Sequence, residues 1–179
     1  MRHLPIDSAL FANHRKRLAE RLPLGAIAFA NANDVLPTNA DGTLPYHPNS
    51  DLFYLSGIEQ EESQLVLFPG CSNPKHQEIL FVRQPSEHLK IWEGYKHSKE
   101  DAQKISGIQT VYWTEDFDNI IQLLAAEAEV FYLNDNEHSR AANVVETREQ
   151  RFNQKIQLDY PLHRVERLAP HLHDLRFCK

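Results

Sequence analysis

The sequence predicts a single α/β domain, a mixed sheet with helices on its faces. Three observations carry that expectation. Apolar residues make up 41% and charged residues 25% of the 179 positions, the balance of a globular chain, and a chain of this length buries roughly 70% of its unfolded surface without disulfide or metal staples. Short apolar runs bounded by Gly, Pro and Asn recur at strand length. In the second half such runs alternate with stretches of helical period, as in a sheet covered by helices.

Residues 8–22 read as a helix, with Phe11, Leu18 and Leu22 on one stripe, Asp7 or Ser8 as cap, and Pro23 and Gly25 as the stop. The run 26–30 is a short buried strand. Residues 31–50, rich in Asn, Asp, Pro, Gly and Thr, form a long loop, and loops of that length in small domains are often functional. Residues 52–56, 64–68 and 78–83 read as three consecutive strands, a meander. Residues 85–97 leave the sheet as a polar excursion holding Ile91, Trp92 and Tyr95. Ser98 opens a helix over 98–105 with Asp101 in the acidic position of a capping box. A strand follows at 110–113, then a helix from Thr114 to about 127 with Phe117, Ile120, Ile121 and Leu124 on one face. Residues 130–133 are a strand and 143–154 a mostly exposed helix. Tyr160-Pro161 breaks the chain, and 167–177 form a last helix.

Nineteen basic against twenty-five acidic side chains leave a net charge of −6. That argues against a nucleic-acid partner, which needs a basic face. No apolar run approaches the ~20 residues of a membrane span, and the N-terminus lacks the apolar core of a signal peptide. Cys71 and Cys178 have no metal-ligand spacing, so a reducing, cytoplasmic setting is expected. Neither a Walker loop, a dinucleotide glycine fingerprint, a zinc-peptidase helix nor a Gly-x-Ser-x-Gly elbow is present. His171, His173 and Asp174 lie close in sequence, but residues two apart on a helix face different ways, and a solvated helix is the expectation. Asp41, Asp51 and Glu78 are the candidate carboxylates of a two-metal nuclease, which the acidic charge and missing basic stripe disfavour.

The most distinctive stretch runs from Asp41 through Pro45-Tyr46, Asn49-Ser50-Asp51 and Phe53-Tyr54-Leu55-Ser56-Gly57. Its polar residues are candidates for turn chemistry, with Phe53 and Tyr54 on opposite faces of a strand. The second is Ile91-Trp92-Glu93-Gly94. A large aromatic on a polar excursion is a contact residue or a plug folded back on the sheet.

Together with His14-Arg15-Lys16-Arg17 in the first helix and the apolar runs 65–68 and 79–83, these stretches resemble the N-terminal domain of the aminopeptidase P (Xaa-Pro aminopeptidase) family. The resemblance implies a creatinase-type N-terminal fold, also ribonuclease-H-like, with about six strands in a mixed sheet. It implies a non-catalytic domain over 1–179 that shapes the substrate pocket and the homo-oligomer of a metallo-hydrolase. That enzyme would release the residue preceding proline at a peptide N-terminus. Two divalent metals, typically manganese, would sit in a C-terminal catalytic domain that follows Lys179, so this chain is expected to be part of a larger enzyme, with no catalytic or metal-binding residue of its own. By the same resemblance Asp41 and Trp92 contact substrate. Tyr46, Asn49, Asp51, Tyr54 and Gly94 support the loop and strand. His47 departs from the family, where an arginine is common, and brings no fixed charge. Two alternatives remain open: a stand-alone interaction module, and the N-terminal domain of a creatinase- or prolidase-type relative.

Overall fold

The computed structural model describes residues 6–39, 41–85, 96–138 and 145–177. Six strands, β1 (Ala26–Asn31), β2 (Gln64–Leu67), β3 (Glu78–Val82), β4 (Thr110–Trp113), β5 (Val130–Leu133) and β6 (Arg164–Arg167), form one mixed sheet in the order β4-β3-β2-β1-β5-β6. β2 runs antiparallel to both β1 and β3, while β3–β4, β1–β5 and β5–β6 are parallel. Among the described residues six α-helices accompany the sheet: α1 (Ser8–Ala19), α2 (Ser50–Ser56), α3 (Lys99–Ser106), α4 (Phe117–Ala125), α5 (Arg148–Asp159) and α6 (Ala169–Phe177).

Alternation along the strands divides the core in two. Ala28, Leu65, Leu80 and Val130 face one layer, with Leu18 of α1, Leu52 and Leu55 of α2, Ala102 of α3 and Leu172 of α6. Ile27, Phe29, Val66, Phe81 and Phe131 face the other, against Phe117 and Ile121 of α4 and Phe152 and Ile156 of α5. With both faces covered, β1, β2 and β5 are buried at every position. That is why they read as continuous apolar runs rather than alternating ones.

The expected strand over 52–56 is a helix. The Asn49 side-chain oxygen accepts from the Asp51 and Leu52 N–H groups at 2.9 and 3.1 Å, satisfying orphan donors of the first turn. Gly57, at φ 70°, closes the last turn. A Cβ there would stand 2.4 Å from the Phe11 ring, so a glycine is needed for packing as well as for backbone. Leu52 and Leu55 are the buried pair of this helix, one turn apart. The antiparallel meander is accordingly β1–β2–β3, with α2 inside the first connection.

The first helix stops at Ala19, earlier than expected, although Leu22 still packs into the core. Residues 114–116 make a 3-10 turn before α4. α5 begins at Arg148, later than expected, and is not mostly exposed: Glu149, Phe152 and Ile156 are buried. The last helix begins at Ala169, two residues later than expected, and is preceded by an unexpected strand, β6. All four of its residues are exposed, so no apolar period announces it; backbone pairing with β5 holds it. The excursion over 85–97 lies largely outside the described residues, as do Trp92 and Gly94.

Candidate functional site at the carboxyl edge of the sheet

From β1 the chain moves to one side of the sheet through β2, β3 and β4. It later adds β5 and β6 on the other side. The order switches between β1 and β5, and the crevice outside the carboxyl ends of strands at such a point is the usual ligand position in open α/β sheets. A cleft of about 810 Å³ opens there, within the size range of small-molecule sites. Its walls include Asn33 beyond β1, Asn134 and Asp135 beyond β5, Asp51 of α2, Glu149 of α5 and Arg176 of α6.

A polar network runs from Gln64 and Asn31, beside this cleft, to Glu149, Asn134, Asp51 and Arg176 in its walls. Gln64 donates to the Asn31 side-chain oxygen at 2.8 Å, and the Asn31 amide donates to Glu149 at 2.6 Å. The Asn31 backbone N–H reaches the other Glu149 oxygen at 3.3 Å. Asn134 donates to Asp51 at 2.8 Å. Arg176 pairs with the second Asp51 oxygen at 2.6 Å, donates to the Ser50 carbonyl, and lies 5.0 Å from the centre of the Tyr54 ring. The other face of Tyr54 stacks on His14 at 3.8 Å.

Glu149 is the group this setting perturbs most. Its carboxyl is pushed up to about 7, chiefly by burial, with the Asp51 charge adding; hydrogen bonds from Asn31 and Asn134 pull the other way. The local fold accounts for its position. Thr147 and Gln150 form a reciprocal capping box at the start of α5. That sets the first turn against the end of β1 and aims residue 149 inward.

The residues singled out from the sequence separate. Asn49 and Asp51 line the cleft. Tyr54 belongs to α2 and packs beneath Arg176. Tyr46 is half-buried; burial and the nearby Glu61 charge push its phenol up to about 12, against a hydrogen bond from the Asn33 backbone. Asp41 stands apart. It is exposed near the tip of a small hairpin, whose arms are tied by Thr38 N–H to the Gly42 carbonyl and Leu44 N–H to the Leu36 carbonyl, both 2.8 Å. Asp41 does not line the cleft. Asn31, Asn134, Glu149 and Arg176 were not anticipated. Asn31 and Asn134 each follow an apolar strand run directly, which is the one sequence signal that could have marked them. Among the described residues no three His, Cys, Asp or Glu side chains gather as a metal-ligand set, and no helix is long and apolar enough to cross a membrane.

Fold and cleft together define a class: an α/β domain with a polar site at the switch point of a mixed sheet. Comparison with known proteins makes this specific. The family model of the aminopeptidase P N-terminal domain matches residues 11–132, and the chain belongs to that family. Over 135 residues, three quarters of the chain, it is 26% identical to the Xaa-Pro aminopeptidase of Escherichia coli K12, covering 30% of that protein. Over 93 residues, half of the chain, it is 29% identical to human Xaa-Pro aminopeptidase 3, covering 18% of it. A Bacillus anthracis structure assigned as an aminopeptidase P superposes on 96% of this chain with a TM-score of 0.85 at 25% identity. Zinc-substituted E. coli aminopeptidase P in complex with product superposes on 98% with a TM-score of 0.75 at 23% identity, a likeness of fold. The chain spans less than a third of the length of these curated relatives and about 40% of each of the two solved chains. The expected six-stranded mixed sheet is the one observed.

Proposed function

We propose that this chain is the substrate-shaping, non-catalytic N-terminal domain of a Xaa-Pro aminopeptidase. The observation that carries this is the family match over 11–132 joined to the superposition of 96–98% of this chain on about 40% of aminopeptidase P chains. In this reading residues 1–179 form one domain, and a catalytic domain beyond it holds two divalent metals, manganese by family habit. Those metals would supply a nucleophile at neutral pH from outside this chain. The substrate is a peptide with proline at its second position, and the working protein is a homo-oligomer. The relatives named above support the aminopeptidase branch over a creatinase or prolidase. A cytoplasmic setting is supported by the sparse cysteines, of which Cys71 is buried and unpaired.

Asp41 is proposed as the substrate-facing carboxylate, and Trp92 as a second substrate-contact residue. The exposure of Asp41 at a hairpin tip leaves the charge free to balance a peptide ammonium or to orient a group of the catalytic domain. In the protein that joins this chain to a catalytic domain, Asp41→Asn is expected to raise KM for an Xaa-Pro peptide about tenfold, the worth of one charge-assisted hydrogen bond. kcat should stay within about twofold, the signature of lost ground-state binding. An unchanged KM would remove Asp41 from the site.

A further inference from the structure

β6 ends the sheet, and among the described residues no strand covers its outer edge. Parallel pairing uses alternate residues of a strand. The Leu168 N–H donates to the Leu133 carbonyl, so the residues turned toward β5 are 164, 166 and 168. The backbone groups of Val165 and Arg167 therefore face outward, unpaired. An edge carrying Arg164, Glu166 and Arg167 repels an arbitrary strand, yet its charges are self-complementary in one arrangement.

We propose that two copies of this chain pair edge to edge through β6, antiparallel, about a twofold axis at Val165. In that register the outward N–H and C=O of Val165 exchange hydrogen bonds with those of the second copy's Val165. Each Arg167 N–H meets the second copy's His163 carbonyl. Arg164 then stands directly opposite the second copy's Glu166, twice by symmetry, on one face of the sheet. Within each copy these two side chains already approach to 3.4 Å, so the pair becomes a four-charge cluster of alternating sign. Centring the axis on Glu166 would set Glu166 against Glu166. Centring it on Arg167 would oppose two arginines, and both arrangements are repelled. Charge selects both the partner and the register. The inference stands on the edge alone and does not depend on the substrate reading.

Sedimentation equilibrium of the 179-residue chain tests it. The expected species is a dimer of twice the 20.7 kDa chain mass, populated at concentrations on the order of 100 μM or below. Arg164→Glu sets like charges opposite each other and is expected to raise the dimer dissociation constant at least about tenfold. Adding Glu166→Arg to the same chain restores the wild-type constant. Both side chains are exposed, so circular dichroism should show the fold unchanged. A monomer throughout that range would overturn the inference, as would a dimer indifferent to the single reversal or a double variant as weak as the single one.

Discussion

Arg15→Met is expected to lower the stability of this domain by about 2–5 kcal/mol, the cost of leaving two buried carbonyls unsatisfied at about 1–3 kcal/mol each. Arg15 is 1% exposed. Its Nη1 donates to the Leu55 carbonyl at 2.8 Å and the Ser106 carbonyl at 2.9 Å, and its Nε to Glu78 at 3.1 Å. One guanidinium from α1 thus serves carbonyls in the last turns of α2 and α3, groups that no intrahelical donor reaches, and ties both to β3. Burial pulls its pKa below the ordinary arginine value, while Glu78 opposes the shift. Methionine fills the volume but leaves two buried carbonyls without a donor, while the partly exposed Glu78 carboxylate turns to water. For a chain of this size the melting temperature should fall by about 10 °C. Arg15→Lys keeps the charge without the fork and should lie between. A shift of less than about 2 °C for the methionine variant would contradict this role.

Glu149→Gln is expected to flatten the pH dependence of stability near neutrality. The native carboxyl sits at about 7 and its ordinary value is 4.5. Between these values the folded chain holds a proton that the unfolded chain has released. Stability therefore falls as pH rises through that window, by about 3 kcal/mol in all. Below the window both states are protonated, and above it both are ionised, so Glu149 adds no slope in either region. The groups facing Glu149 are Asp51, whose charge raises its pKa, and the amides of Asn31 and Asn134. Glutamine, like the protonated form, carries no charge, and this holds at every pH. Urea unfolding at pH 5 and pH 8 should show a smaller loss for the variant than for wild type, and the variant should be the more stable at pH 8. Equal slopes for the two proteins would contradict the assignment. Histidines titrating in the same window cancel in that comparison.

The sequence made the covered strands legible because burial on both faces leaves mostly apolar side chains along β1, β2, β3 and β5, with Asn31, Gln64 and Glu78 at strand ends as the exceptions. It made α3 legible through the Ser98–Asp101 box, which the structure forms reciprocally. α2 was misread because Leu52-Phe53-Tyr54-Leu55 is a short apolar run of the kind that periodicity alone assigns to either element. The deciding signals were Asn49 before it and Gly57 after it. β6 carries three charges in four residues and exists by backbone pairing, which leaves no side-chain period to read. The cleft was the least legible feature. Asn31, Asp51, Asn134, Glu149 and Arg176 come from distant parts of the chain and meet only because the parallel strands end together. The family likeness, in contrast, was carried by the order of motifs; of the residues it favours for substrate contact, Asp41 does not line the cleft and Trp92 lies outside the described residues.

The central claim is that this domain contributes walls and neighbours to a reaction whose metals another domain holds. Titrating manganese into the isolated, metal-free chain, followed by an assay on an Xaa-Pro peptide, tests it most directly. The expected result is no two-site metal binding and no turnover above a protein-free blank. Binding of two manganese ions per chain, with peptide cleavage that survives repurification, would contradict it.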